Sequence, residues 1–216
     1  MHTLFEAREE AGRRIAKRLA PYRQSDAVIL AIPRGGIPVA AAAAHRLQIG
    51  WSFVITRKLP VPSNPEAGFG AVAADGSVVL NKAMLAGLRL TKAQIDAIAN
   101  EVGEEVARRT EIYSAARPPA DVSGHPVIIL DDGLASGYTM LAAIESVRSR
   151  NPSKIIAAAP VASRSAAAMI REAVDECAFE IVSPAVPFAV ADFYVAWHDL
   201  TDEDVLPILR QLQVKA

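Results

Sequence analysis

Two adjacent carboxylates, Asp131 and Asp132, follow the apolar run Val127-Ile128-Ile129-Leu130 and precede the turn Gly133-Leu134-Ala135-Ser136-Gly137-Tyr138-Thr139. The run reads as a buried strand, and Met140-Leu141-Ala142-Ala143-Ile144 opens a helical pattern. Strand, acid pair, small-residue turn and helix in that order gather unpaired backbone N–H groups and the positive end of a helix dipole around the turn. Such a place holds a phosphate. Carboxylates repel phosphate, so the acid pair serves another part of the ligand, either sugar hydroxyls or a bound cation. The expected ligand is a sugar phosphate.

The rest of the chain must position these groups. Residues 3–20 read as an amphipathic helix with Leu4, Phe5, Ala11, Ile15 and Leu19 on one face, ended by Pro21. Ala27–Ile32 is a strand broken by Pro33-Arg34-Gly35-Gly36, and Ile37–Leu47 is an alanine-rich helix. Ser52–Thr56 is a second strand, ending at Arg57-Lys58. Residues 59–81, rich in Pro and Gly, read as a mobile loop with a small hairpin whose arms are 68–73 and 77–80. Thr91 caps a long helix to Ala115 whose charges (Glu101, Glu104, Glu105, Arg108, Arg109) form a solvated face. Strands at 154–159 and 178–182 flank a helix at 165–173, and a last helix starts at Thr201. Alternating strands and helices predict an α/β fold, a doubly wound and mostly parallel sheet flanked by helices. In such sheets ligands sit beyond the carboxyl ends of the strands, where Arg34, Arg57, Lys58, Asp131 and Asp132 all fall.

Composition narrows the class. A chain of 216 residues with a formal net charge of -1 lacks the basic excess of a bulk nucleic-acid binder. The single Cys177 excludes an intramolecular disulfide and a cysteine metal cage, which suits a reduced, cytoplasmic setting. No apolar run has transmembrane length, and the first residues are polar and charged, so neither a membrane span nor a secretory leader is expected.

The segment 127–139 resembles the phosphoribosyl-diphosphate (PRPP) signature of the type I phosphoribosyltransferases. Ile32-Pro33-Arg34-Gly35-Gly36-Ile37-Pro38-Val39-Ala40, Arg57-Lys58-Leu59, Asn64-Pro65-Glu66 and the N-terminal helix extend the resemblance over nearly the whole chain, to a branch with no agreed acceptor. The resemblance implies a core over residues 1–183, with a flexible closing loop at 59–81, and a small C-terminal hood over 184–216. It implies that Asp131 and Asp132 hold the ribose hydroxyls, and that Ala135, Ser136, Gly137, Tyr138 and Thr139 wrap the 5′-phosphate. Arg34, Gly35 and Gly36 match the family's diphosphate loop, where the peptide beside the first glycine is often cis. Arg57 and Lys58 match its basic residues near the diphosphate. Phe193 and Trp197, in the aromatic tail, would meet the acceptor. Mg²⁺ is the implied cofactor, held mostly through PRPP and water, with Asp131 and Asp132 as its nearest protein groups.

The implied activity is transfer of ribose 5-phosphate from PRPP to a nitrogenous acceptor (purine, pyrimidine or related base or amine) with release of diphosphate. Its partners are small molecules, not nucleic acid or membrane, and a homodimer is compatible with an apolar helix face. Ala135 stands where hypoxanthine/guanine members carry an aspartate, which argues against simple 6-oxopurine salvage. Glu66 is a candidate for the missing base. The alternative is a non-catalytic PRPP- or nucleotide-binding regulator on the same fold; a weaker third reading is a hydrolase of activated ribose. His45, His125 and Cys177 read as structural, while His198 is more open.

Overall fold

The computed structural model describes residues 4–211, except the side chains of residues 65 and 66. In chain order the strands are β1 (Val28–Ala31), β2 (Gly50–Phe53), β3 (Thr56–Val61), β4 (Asn64–Ala73), β5 (Val78–Leu80), β6 (Pro126–Leu130), β7 (Lys154–Ser163) and β8 (Glu176–Ser183). The helices are α1 (Arg8–Arg18), α2 (Gly36–Leu47), α3 (Lys82–Leu88), α4 (Lys92–Ala116), α5 (Tyr138–Arg148), α6 (Arg164–Arg171) and α7 (Asp202–Leu209).

Five strands form one sheet in the order β2-β1-β6-β7-β8, parallel throughout. Their apolar runs are continuous because both faces are covered. Alternate residues point to opposite faces. Ile29, Ala31, Ile128 and Leu130 join the core beneath α1 and α2, whereas Leu30, Val127 and Ile129 join the core beneath α5 and α6. Small residues let α1 cross α2 closely: a Cβ on Gly12 would lie 2.4 Å from the Val39 carbonyl oxygen. The strand order reverses between β1 and β6, so the loops after these two strands open into one crevice, where ligands of such sheets bind.

The remaining three strands make a separate antiparallel sheet, β3-β4-β5. This corrects two expectations. Arg57 and Lys58 lie within β3, opposite Val72 and Ala71, not at the end of β2. Residues 59–81 are also not a bare loop: Leu59 and Phe69 are fully buried, and a Cβ on Gly70 would meet the Val79 carbonyl oxygen at 2.4 Å. The hairpin expected there is present with a longer first arm and a second arm one residue shorter, and α3, which the sequence reading missed, follows it.

The N-terminus also departs from the expected helix. Helix α1 begins at Arg8, and Phe5 instead pairs as an isolated parallel bridge with Tyr194. The Phe5 amide donates to the Phe193 carbonyl at 2.8 Å, and the Val195 amide donates back to the Phe5 carbonyl at 2.8 Å. Phe5, Ala11, Val161, Phe193 and Tyr194 form a third apolar cluster. A two-residue clamp thus joins the chain's first described residues to its aromatic tail and fixes where α1 starts. Truncating Phe5, fully buried at this junction, with Phe5→Ala is expected to cost about 3–5 kcal/mol, checked by urea denaturation of both proteins.

Candidate active site

At the crevice, the loop after β1 presses onto the acid pair. The Ile32 amide donates to the Leu130 carbonyl at 2.9 Å, carrying the β1–β6 pairing past the strand ends. A Cβ on Gly35 would lie 1.9 Å from Asp132 Oδ2, and one on Gly36 would lie 2.6 Å from the Leu130 carbonyl oxygen. Both glycines are therefore required by close approach of two chain segments. A cis peptide bond joins Pro33 to Arg34, one bond before the pair flanking Gly35 where the resemblance placed it.

The acid pair is internally braced. The Asp132 amide donates to Asp131 Oδ1 at 2.8 Å. Arg8 Nε donates to Asp132 Oδ2 at 2.8 Å, and Arg8 Nη1 donates to the His198 carbonyl at 3.1 Å. The Arg8 guanidinium carbon stands 4.0 Å from the Trp197 ring centre, a cation–π contact. The Tyr194 hydroxyl donates to the Asp132 carbonyl at 2.7 Å. Burial pushes both carboxyls above the usual carboxylate range. For Asp131 the negative charge of Asp132 adds to burial, whereas at Asp132 the Arg8 guanidinium offsets it. Burial, reinforced by the charge of Asp132, also raises the Tyr194 phenol, which keeps it a donor.

The turn that follows is tied from below and open at its tip. Leu134 pairs with β7 through its amide to the Val161 carbonyl (2.9 Å) and its carbonyl from the Ser163 amide (2.8 Å). Ser163 Oγ donates to the Ala135 carbonyl at 2.7 Å and also caps α6. Gly133 is needed because Val190 would stand 2.4 Å from any Cβ there. Gly137 takes φ +82°, in the left-handed region, as the residue before α5. The amides of Ser136, Gly137, Tyr138 and Thr139 reach no main-chain acceptor among the described residues. They sit at the N-terminus of an eleven-residue helix.

The basic residues are held by carboxylates. Arg34 Nη1 lies 3.9 Å from Asp202 Oδ1, and Arg57 Nη1 lies 2.6 Å from Glu105 Oε1. Asp202 also accepts from the Tyr113 hydroxyl at 2.6 Å. Arg109 Nε lies 3.4 Å from Asp202 Oδ1, and Arg109 Nη2 lies 3.5 Å from Glu105 Oε1. Arg109 is buried, so the solvated face expected of α4 needs correction at this position. A signal for this exists in the sequence: Val102, Val106, Arg109 and Tyr113, spaced four, three and four, share the buried face. Lys58 is exposed beside Arg57.

The tail departs from its expected role. Phe193 is only 4% exposed and packs in the third apolar cluster, tilted against Phe188. Its ring is thus committed to the interior, not to a facing acceptor. Trp197 is half-buried, with Arg8 against its ring. Sequence reading missed Arg8 and Tyr194, which reach Asp132 from the two ends of the chain. The available signal was spacing: Arg8 stands three and seven residues before Ala11 and Ile15 on the buried face of α1, which Arg13, Arg14 and Arg18 do not share. The side chain of Glu66 lies outside the described residues.

Comparison with known proteins agrees with this architecture. A family model described as a phosphoribosyl transferase domain matches residues 3–196. Two curated proteins of Mycobacterium tuberculosis (strains CDC 1551 and H37Rv), provisionally named phosphoribosyl transferases, are each 35% identical over 206 residues, which is 95% of this chain and 46% of theirs. The chain therefore spans about half the length of these relatives. The crystal structure of TT1426 from Thermus thermophilus superposes with a TM-score of 0.79 at 34% identity, covering 96% of this chain and 98% of that one.

The raised Asp131 carboxyl has a measurable consequence. Its folded state holds a proton more tightly than the unfolded chain does, so its contribution to stability is full below the unfolded carboxylate range. That contribution is lost as pH rises through the raised folded value. Asp131→Asn, which keeps the acceptor for the Asp132 amide, is expected to melt higher than wild type at pH 8, with the gap shrinking toward pH 4. Thermal melts across that range in ligand-free buffer measure it.

Proposed function

Since this chain belongs to the phosphoribosyl transferase domain family, we propose that it transfers ribose 5-phosphate from PRPP to a nitrogenous acceptor and releases diphosphate. One observation carries the reading: at the reversal point of a parallel sheet, an acid pair stands next to a turn of unpaired amides at a helix N-terminus. A sugar phosphate satisfies both. The amides and hydroxyls of Ala135–Thr139 take the 5′-phosphate, and Asp131 and Asp132 take the ribose hydroxyls.

In the reaction the C1′–oxygen bond breaks with its electron pair going to the diphosphate. The acceptor nitrogen forms the new bond to C1′ and gives up its proton. The developing positive charge on the ring resembles that of glycoside chemistry. The Arg34-Gly35-Gly36 loop, Arg57 and Lys58 supply the charge that the leaving diphosphate needs. Two hard, half-buried carboxylates whose charged forms are disfavoured suit a divalent cation, and no group of three metal-ligating side chains occurs among the described residues. That donor set fits Mg²⁺ bound chiefly through phosphate oxygens and water, which would neutralise charge on the diphosphate. Before ligand arrives, Arg8 occupies one oxygen of Asp132. The remaining lone pairs of the acid pair then meet the sugar, while Arg8 opposes the effect of burial on Asp132 and orients its carboxylate.

A screen of purine, pyrimidine and small amine acceptors, reading diphosphate release with PRPP and Mg²⁺, tests the assignment. Release with at least one acceptor is expected. PRPP that fails to bind by calorimetry would sink the reading, and binding without release from any acceptor would favour the regulator instead. Asp132→Asn is expected to weaken PRPP binding by about 1–3 kcal/mol through lost charged hydrogen bonds, with calorimetry at a temperature where both proteins are folded as the check. Arg57→Ala should lower kcat more than PRPP affinity, because its charge acts on the leaving group; single-turnover kinetics compare the two.

A further inference from the structure

The structure assigns Arg109 as a positioning residue that sets Arg34 and Arg57 at a fixed spacing through two carboxylates, so that both meet one diphosphate. The assignment rests on the function proposed above. It starts from a chain of alternating charges: Arg57 to Glu105 (2.6 Å), Glu105 to Arg109 (3.5 Å), Arg109 to Asp202 (3.4 Å) and Asp202 to Arg34 (3.9 Å). The four links join three separate parts of the fold, namely β3, α4 and the start of α7, to the loop after β1.

The outer members of this chain are open and the middle is not. Arg34 and Arg57 side chains are 37% and 39% exposed, whereas the Arg109 side chain is 10% exposed. Exposed ion pairs alone hold a geometry weakly, since side-chain entropy and screening offset them. A buried guanidinium lying between two carboxylates is screened less than these pairs, and its planar fork can fix their relative direction once both edges are engaged. The Tyr113 hydroxyl, at 2.6 Å, and the N-terminus of α7 further pin Asp202.

Arg109 is also incompletely satisfied. Its Nε is buried and, despite the 3.4 Å approach to Asp202, makes no well-directed hydrogen bond. A buried donor left this way is costly. A small rotation of Asp202 toward it would complete the bond. Within the network three arginines face two carboxylates, and the two outer arginines keep part of their surface open to solvent. An anion between Arg34 and Arg57 would meet the solvent-facing sides of both guanidinium groups while Asp202 and Glu105 stay behind them on Arg109. The buried cation thus stabilises the two carboxylates in either state and keeps their arginines within reach. A cavity of about 430 Å³ between β3 and α4, lined by Arg57, Lys58, Glu101 and Glu105, gives Arg57 and Glu105 room to move.

Calorimetric titration of the full chain with inorganic diphosphate plus Mg²⁺, and separately with ribose 5-phosphate, tests the assignment. Arg109→Met and Arg109→Lys are expected to bind diphosphate about tenfold more weakly while ribose 5-phosphate affinity changes by less than about twofold. Lysine should not rescue, because one ammonium cannot set the direction of two carboxylates. Asp202→Asn, which keeps an acceptor for Tyr113, should reproduce the selective loss and serves if Arg109→Met does not fold. Arg108→Met, on the exposed side of the same helix, should bind both ligands as wild type does. Unchanged diphosphate affinity in the Arg109 variants, or equal losses for both ligands, would overturn the positioning role alone. A wild-type protein that binds neither ligand would overturn the function on which it rests.

Discussion

Two carboxylates placed side by side in a largely desolvated corner are the constraint around which this molecule is organised. Asp131 and Asp132 repel each other and lose hydration, so burial drives both toward the neutral acid. Their setting offsets this cost from several directions. The Asp132 amide turns back to Asp131, the Tyr194 hydroxyl fixes the Asp132 carbonyl, and Arg8 supplies a countercharge. Gly35 permits the neighbouring loop to close onto Asp132 with no side chain between. The corner is thus held ready while still short of positive charge, a state that a cation or a hydroxyl-rich ligand relieves.

This constraint explains features that look unrelated at the level of secondary structure. The N-terminal segment is extended at Phe5 because it must pair with the tail before α1 begins. That pairing brings Arg8 and Trp197 together beside Asp132. Tyr194 serves both the apolar cluster with Phe5 and the polar contact to Asp132. An aromatic tail that suggested a surface for stacking a base is therefore in large part a packing device that seats one arginine. The acid pair and its counter-ion are separated by more than half of the chain, so the site exists only once both ends have docked.

A second, ionic layer lies on the other side of the crevice. There the basic residues of the loop after β1 and of β3 are spaced by Asp202 and Glu105 around Arg109. The two layers follow different physics. The first is buried and depends on hydrogen bonds of good geometry, while the second keeps its outer members in water and so can rearrange at small cost. Such a division suits the proposed transfer, in which one part of the ligand is held in a single orientation and a charged part enters and departs.

The local grammar of the chain was sufficient for the sheet, most of its flanking helices and the corner where the acid pair meets the glycine turn. Each of these is written in contiguous residues: an apolar strand at 126–130, two acids, a glycine turn with φ +82° at Gly137, and a helix at 138–148. The N-caps at Thr91 and Thr201 are local in the same sense. What folding alone decided is which charges meet. Arg8 finds Asp132 across 124 residues, and Arg57 sits inside an antiparallel sheet whose existence depends on β4 and β5. The spacing of Val102, Val106, Arg109 and Tyr113 hinted at a buried arginine, but its carboxylate partner at position 202 was invisible to any pattern along the chain. Periodicity reports which way a residue faces; it carries no record of the distant side chain that will stand opposite, because that is fixed by packing of whole elements and not by neighbours in sequence.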